Sequence, residues 1–108
     1  MAGVTISSLS TQYVLQPVRA WSQGQPYNPT GLTVQMAFIS GWAKPTSLEW
    51  NMASWAWTTT VNGYYAAQCL VGPENDGVDL AVGTYDVWVQ VTGSPEIPVL
   101  VCGTLTIT

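Results

Sequence analysis

The sequence contains no histidine, and this absence excludes much of the usual catalytic chemistry. None of its 108 residues is His, so the commonest general base and the commonest metal ligand are missing. No two carboxylates are spaced to act as acid and base across one cleft, and neither cysteine has a histidine to activate it. We therefore predict that the protein is not an enzyme and uses no cofactor or metal. A small hydrolase stays the weakest of three hypotheses.

Basic residues are almost absent as well. Arg19 and Lys44 are the only two, against six Asp or Glu, and the net charge is −4. Nucleic-acid binding draws its affinity from clustered Lys and Arg, and anionic membranes attract basic stretches. We predict neither kind of partner.

Long apolar runs and a leader pattern are also missing. Residues 1–8 combine no positive region with an apolar stretch, so we expect no secretion signal. No run reaches the ~18 apolar residues of a membrane span. We therefore expect synthesis in a cytoplasm. In that reducing compartment, Cys69 and Cys102 are expected to be thiols rather than a disulfide, although a disulfide stays the alternative.

Charge of either sign is scarce although hydrophobicity is ordinary. Charged residues make up 7% of the chain and hydrophobic residues 47%, where a typical domain carries about 25% charge. Disorder is not expected, because it requires low hydrophobicity and high net charge. A surface of Thr, Ser, Gln, Asn and Gly does little to keep copies apart, which suits a protein that works in an assembly.

What is present is mainly β-strand pattern. In residues 85–92, Tyr85, Val87, Val89 and Val91 alternate with Asp86, Trp88, Gln90 and Thr92, which predicts a half-buried strand. Residues 99–108 form a further predicted strand after a turn, so the two are expected to pair as a hairpin. A second hairpin is predicted from residues 54–60 and 63–71 around Asn62-Gly63.

Upstream, residues 4–6, 13–21 and 32–39 are predicted strands, with a loop at residues 24–31. No segment shows helical periodicity. About seven short strands separated by turns predict one domain over residues 1–108, an all-β immunoglobulin-like antiparallel sandwich. A small β-barrel is the alternative.

Tryptophan is the residue type that carries most information. A domain of 108 residues with six Trp cannot bury all of them, and exposed aromatic residues mark contact surfaces. Trp88 lies on the polar face of its strand, and Trp55 and Trp57 are predicted to share a face. Together with Trp42, these are the candidate protein-contact residues. We expect about half of the six Trp to be core residues.

Residues 74–79, Glu-Asn-Asp-Gly-Val-Asp, form the densest acidic stretch. Alternating oxygen ligands around a glycine are typical of calcium loops, but the full twelve-residue pattern is absent. A solvated turn at Asp76-Gly77 is the favoured interpretation.

Several segments resemble small virion proteins of tailed bacteriophages. They are residues 8–14, 27–30, 83–92 (Gly-Thr-Tyr-Asp-Val-Trp-Val-Gln-Val-Thr), 95–99 and 103–107. The chain is similar to short proteins encoded among the head and tail genes of phages of actinobacteria. Its ending also resembles the immunoglobulin-like domain of some baseplate upper proteins. The resemblance spans nearly the whole chain and implies a β-sandwich without catalytic residues.

Three functions follow in order of preference. The first is a virion structural protein in many symmetric copies, as capsid decoration, in the neck or head–tail connector, or in the tail. Its expected partners are other phage structural proteins and copies of itself. The second is a carbohydrate-binding module in which Trp88, or Trp55 with Trp57, forms a stacking platform. The third is the small hydrolase.

Overall fold

The structure, a computed structural model, describes residues 4–18, 20–22, 25–41, 43–46, 49–61, 64–92 and 99–108. These residues form ten β-strands, one 3-10 turn at Pro29–Gly31 and no α-helix, so the predicted all-β class is confirmed. The strands are β1 Val4–Ile6, β2 Gln12–Val18, β3 Ala20–Ser22, β4 Gln25–Tyr27, β5 Thr33–Ile39, β6 Asn51–Met52, β7 Ser54–Val61, β8 Tyr64–Val71, β9 Gly83–Thr92 and β10 Val99–Ile107. No helix among these residues is long and apolar enough to cross a membrane.

The strands form two open sheets and a small ribbon. The larger sheet has five strands in the order β1-β10-β9-β5-β6, and the smaller has three in the order β2-β8-β7. Strands β3 and β4 pair separately as a two-stranded ribbon. All of these pairs are antiparallel except β1 with β10, which are parallel.

The two sheets share one hydrophobic core. Strand β9 contributes Val87, Val89 and Val91, each buried, while the alternate residues of the strand are half-buried or exposed. The predicted alternation of this strand is confirmed. The other members of the core come from both sheets: Ile6, Val34, Met36, Phe38, Leu105 and Ile107 from the larger, and Val14, Val18, Ala67, Cys69 and Val71 from the smaller.

Both predicted hairpins are confirmed as antiparallel pairs, β9 with β10 and β7 with β8. Their turns, residues 93–98 and 62–63, lie outside the described residues. The acidic stretch is a turn, as favoured. Asn75 and Asp76 have φ angles of 56° and 60°, and the N–H of Gly77 donates to the carbonyl of Glu74 at 3.0 Å. Two successive positive φ angles are typical of a type I′ turn.

Two predictions upstream are corrected. The strand expected at residues 13–21 is two strands, β2 and β3, which belong to different sheets. The segment expected to be a loop contains strand β4, which pairs with β3 so that Trp21 lies opposite Pro26, and then the 3-10 turn. Glycine and proline in residues 24–31 predicted a loop, but three residues are enough for a paired ribbon.

The register of β7 against β8 is irregular between Trp55 and Trp57, and the side chain of Trp57 lies outside the described residues, so the shared face predicted for these two residues stays a prediction. Trp55 pairs with Ala67 and Trp57 with Ala66, and the register shifts between them as in a β-bulge. Ala66 and Ala67 are consecutive, so they lie on opposite faces of β8. Where the register of a strand shifts, as at a bulge, period-two alternation no longer indicates the face of each residue.

Close contacts and hydrogen bonds hold both ends of the loop between β8 and β9. At its start, Gly72 lies so close to residues 10 and 11 that a Cβ atom would be 2.4 Å from the Cα of Thr11. The N–H of Glu74 donates to the hydroxyl of Thr11 at 3.2 Å. At its end, the hydroxyl of Tyr85 donates to the carbonyl of Ala81 at 2.7 Å.

A candidate contact face on the three-stranded sheet

Trp88 lies on the outer face of the five-stranded sheet, where it was expected, but it is half-buried rather than fully exposed. It pairs with Ala37 of β5, which is fully buried although it is not part of the central core. This part of the outer face is therefore covered. The indole Nε1 of Trp88 is buried and has no hydrogen-bond partner, so the exposed part of the residue does not include its polar atom.

Trp55 serves the fold itself. Its side chain packs against the central core, and its indole N–H donates to the carbonyl of Leu32 at 3.0 Å. The backbone of Trp57 lies in β7, but its side chain is outside what the structure describes, as is all of Trp42. Of the four predicted contact residues, the structure describes the side chains of Trp55 and Trp88, and these two lie apart: Trp55 packs against the central core and Trp88 lies on the outer face of the five-stranded sheet.

A different surface carries exposed aromatic and aliphatic side chains. It is the outer face of the three-stranded sheet, and we call it the β2–β8 face. Strand β2 contributes Tyr13, Leu15 and Pro17, and strand β8 contributes Tyr64, Ala66, Gln68 and Leu70. Ala66 is fully buried although it is not part of the central core, so the face is covered at this position. In the register of the two strands, Tyr13 lies opposite Leu70, Leu15 opposite Gln68 and Pro17 opposite Ala66.

Alternation explains why these residues face outward. Val14 and Val18 belong to the core, and Gln16 between them is buried, so the other set of β2 residues lies on the opposite face. The exposed fractions are 51% for Tyr13, 39% for Leu15 and 38% for Tyr64. These are large values for apolar side chains on one sheet, and contiguous apolar surface is typical of contact sites.

The seven described residues of the β2–β8 face are uncharged. None of them is Asp, Glu, Lys or Arg, and the amide N–H of Gln68 donates to the hydroxyl of Ser54 at 3.2 Å. The described charged residues lie elsewhere. Lys44 and Glu49 are in the segment between β5 and β6, Asp86 is in β9, and Glu74, Asp76 and Asp79 are in the loop before β9.

The described residues offer little reactive chemistry near this face or elsewhere. No group of three or more His, Cys, Asp or Glu among them is placed to hold a metal ion. Cys69 is a free thiol in the core, and burial raises its pKa from 9.0 to about 11. A thiol with a raised pKa is a poor nucleophile at neutral pH. What the β2–β8 face can do is pack against another apolar surface.

Sequence reasoning missed this face because β2 is apolar on both sides. Tyr13, Val14 and Leu15 are consecutive apolar residues, so alternation does not indicate which set points inward. Among the residues that the structure describes, Gln16 is the one buried polar residue, although glutamine is usually exposed. The signal that was available in the sequence is the presence of Tyr13 and Tyr64 in predicted strands whose neighbouring residues carry little charge.

Comparison of the chain with protein-family models, with curated proteins and with solved structures found no match.

Proposed function

We propose that this protein is a structural component of a tailed-bacteriophage virion, present in several symmetric copies on the capsid, the neck or the tail. It is made in the host cytoplasm and acts by protein–protein contact, without catalysis or a cofactor. The observation that carries the proposal is the β2–β8 face, an uncharged surface with exposed tyrosine and leucine side chains. Tyrosine is enriched and charge is depleted at the centres of protein interfaces. The resemblance of the sequence to small phage virion proteins supports the same function.

The proposal includes an immunoglobulin-like sandwich, the fold of the domains that the sequence resembles. In that fold, strands C, F and G form one sheet and strands B, E and D the other. The order β5-β9-β10 in the larger sheet matches C-F-G, and β2-β8-β7 in the smaller matches B-E-D. The sequence order of these six strands also agrees with the lettering.

A hydrogen bond at the start of β9 supports this topology. Immunoglobulin-like domains carry a tyrosine near the start of strand F whose hydroxyl bonds to backbone a few residues upstream. Tyr85 is the third residue of β9, and its hydroxyl donates to the carbonyl of Ala81, four residues earlier. The bond secures the passage from one sheet to the other.

The composition of the face favours protein over sugar as its partner. A sugar platform needs polar side chains beside the aromatic ring to bond the hydroxyl groups of the ligand. The face neighbours of Tyr13 are Leu15 along the strand and Leu70 across it, both apolar. Gln68, the one amide on the face, already donates to Ser54.

The proposal is tested by quantitative mass spectrometry of virions purified from the phage that encodes the chain. We expect the wild-type chain in several copies per particle and Leu15→Glu in at least tenfold fewer, because a carboxylate has no partner in an apolar contact. Met52→Glu is the matched control. Met52 is 70% exposed, belongs to β6 of the other sheet and receives the same charge. A wild-type chain that stays in the soluble lysate contradicts the proposal.

A further inference from the structure

We propose that Asp76 is a site of spontaneous isomerisation to isoaspartate, and that the turn at residues 74–77 controls how fast the reaction occurs. Asp76 is exposed, and Gly77 follows it directly. An aspartate followed by glycine is especially prone to this reaction, because glycine has no Cβ and leaves its backbone nitrogen open to attack. The reaction is independent of the proposed function.

The chemistry needs only these two residues and water. The backbone nitrogen of Gly77 attacks the side-chain carboxyl carbon of Asp76 and forms a C–N bond. The N–H proton and the hydroxyl of the protonated carboxyl group leave as water, and a five-membered succinimide ring remains. A second water opens the ring. Opening at the main-chain carbonyl breaks the original peptide bond and leaves the chain joined through the side chain of Asp76, with an additional methylene group in the backbone.

In the folded turn, the attacking nitrogen is held by a hydrogen bond. The N–H of Gly77 donates to the carbonyl of Glu74 at 3.0 Å, so its proton cannot leave until this bond breaks. Ring closure also requires rotation of the peptide unit between Asp76 and Gly77. The surrounding backbone leaves little room for this rotation, because a Cβ atom on Gly77 would be 2.9 Å from the carbonyl oxygen of Gly72. The turn must therefore open before the ring can form.

Further hydrogen bonds hold the segment that contains the turn. The N–H of Val78 donates to the carbonyl of Leu70, and the N–H of Gly72 donates to the carbonyl of Val78, both at 2.9 Å. The N–H of Glu74 donates to the hydroxyl of Thr11 at 3.2 Å. A loop of this kind opens locally, at a lower cost than global unfolding, and a slow reaction of the open state follows its population. The rate of isomerisation therefore depends on these bonds.

The test measures isoaspartate in the full-length chain at neutral pH and physiological temperature, in buffer and in concentrated urea. Isoaspartyl methyltransferase quantifies the product, and a peptide map locates it. We expect the reaction at Asp76 to be about tenfold slower in buffer, or slower still, because the turn opens only transiently. Asp76→Glu should remove the product, since its longer side chain does not form the five-membered ring.

A substitution outside the reacting residues tests the control by the turn. Thr11→Val removes the acceptor of the Glu74 N–H with little change in shape, so it should raise the rate in buffer roughly fivefold, the effect of one hydrogen bond. Its rate in urea should equal that of the wild type. Thr33→Val is the matched control, because Thr33 is an exposed threonine of β5 in the other sheet. Its rate should equal that of the wild type in both solutions.

Three results overturn the inference. The first is a chain that forms no isoaspartate at Asp76 in urea, and the second is a wild-type rate that is equal in buffer and in urea. The third is a Thr11→Val chain that has a native circular dichroism spectrum and an unchanged rate in buffer. The first two results come from the wild-type chain, so they stand even where a variant does not fold.

Discussion

At the residue scale, Trp55 and Trp88 differ in what their indole N–H groups meet. The N–H of Trp55 donates to the carbonyl of Leu32, whereas the N–H of Trp88 is buried without an acceptor. A buried donor without a partner costs about 1–3 kcal/mol. Trp55 therefore stabilises the fold through its polar atom, and Trp88 does not. Whether Trp88 contacts a partner stays a prediction.

The same substitution at both positions measures this difference. Phenylalanine removes the indole N–H in each case, but only Trp55→Phe leaves an acceptor, the carbonyl of Leu32, without its donor. We expect Trp55→Phe to lower the free energy of unfolding by about 1–3 kcal/mol more than Trp88→Phe does. Urea denaturation followed by circular dichroism gives both values. Equal losses would contradict the assigned roles.

Cys69 makes the stability of the folded protein depend on pH in the alkaline range. Burial raises its pKa from 9.0 to about 11, so the folded chain keeps its thiol proton at pH values where the unfolded chain loses it. The unfolded state is then favoured by ionisation. The free energy of unfolding is therefore unaffected by this thiol below pH 9. It decreases between about pH 9 and 11, by roughly 2–3 kcal/mol in all.

The corresponding experiment compares wild type with Cys69→Ala by urea denaturation at pH 8 and pH 10.5. The difference between the two proteins should shrink or reverse at the higher pH, because alanine has no proton to lose. Iodoacetamide at pH 8, followed by mass spectrometry of the peptide that contains Cys69, provides a second measurement. We expect slow labelling in the folded chain and rapid labelling in denaturant. Rapid labelling of the folded chain would show that Cys69 is accessible.

At the scale of elements, the junction between the loop before β9 and residues 10 and 11 depends on one glycine. Two features oppose a side chain at Gly72. Its φ is 146°, a conformation that residues with a Cβ rarely adopt, and a Cβ would collide with the backbone of Thr11. Gly72→Ala should therefore destabilise the protein by roughly 2 kcal/mol or more. Gly83→Ala separates the two causes, because Gly83 has a φ of 154° with nothing within 4 Å of its Cβ position. A melting temperature for Gly72→Ala equal to that of Gly83→Ala would rule out the steric contribution.

Strands with one polar face could be predicted from the sequence, and the others could not. Strand β9 alternates apolar and polar residues, so both its position and its buried face were predicted. Strand β2 has no such contrast, and its contact face was missed. The parallel pairing of β1 with β10 joins residues about a hundred positions apart, which no local pattern reveals. The bulge at Trp55 and Trp57 depends on the partner strand rather than on β7 alone.

For the whole molecule, the predicted class rested on about seven short strand patterns and the turns between them, which recur along the entire chain. The candidate site is different in kind. Its residues come from β2 and β8, which are adjacent in the sheet but separated by about fifty positions in sequence. Only the register of the pair shows that Tyr13 and Leu70 are neighbours. A surface of this kind becomes visible only once the strands are placed.

Pro17 limits how far a chain with such a face can polymerise. Strand β2 is an edge strand of its sheet, and an edge beside an apolar face is a template on which further chains can add by backbone pairing, as in amyloid. Proline has no N–H to donate, so an added strand finds a gap in the hydrogen-bonding pattern near the end of β2. Growth by continuous sheet extension at this edge is thereby hindered.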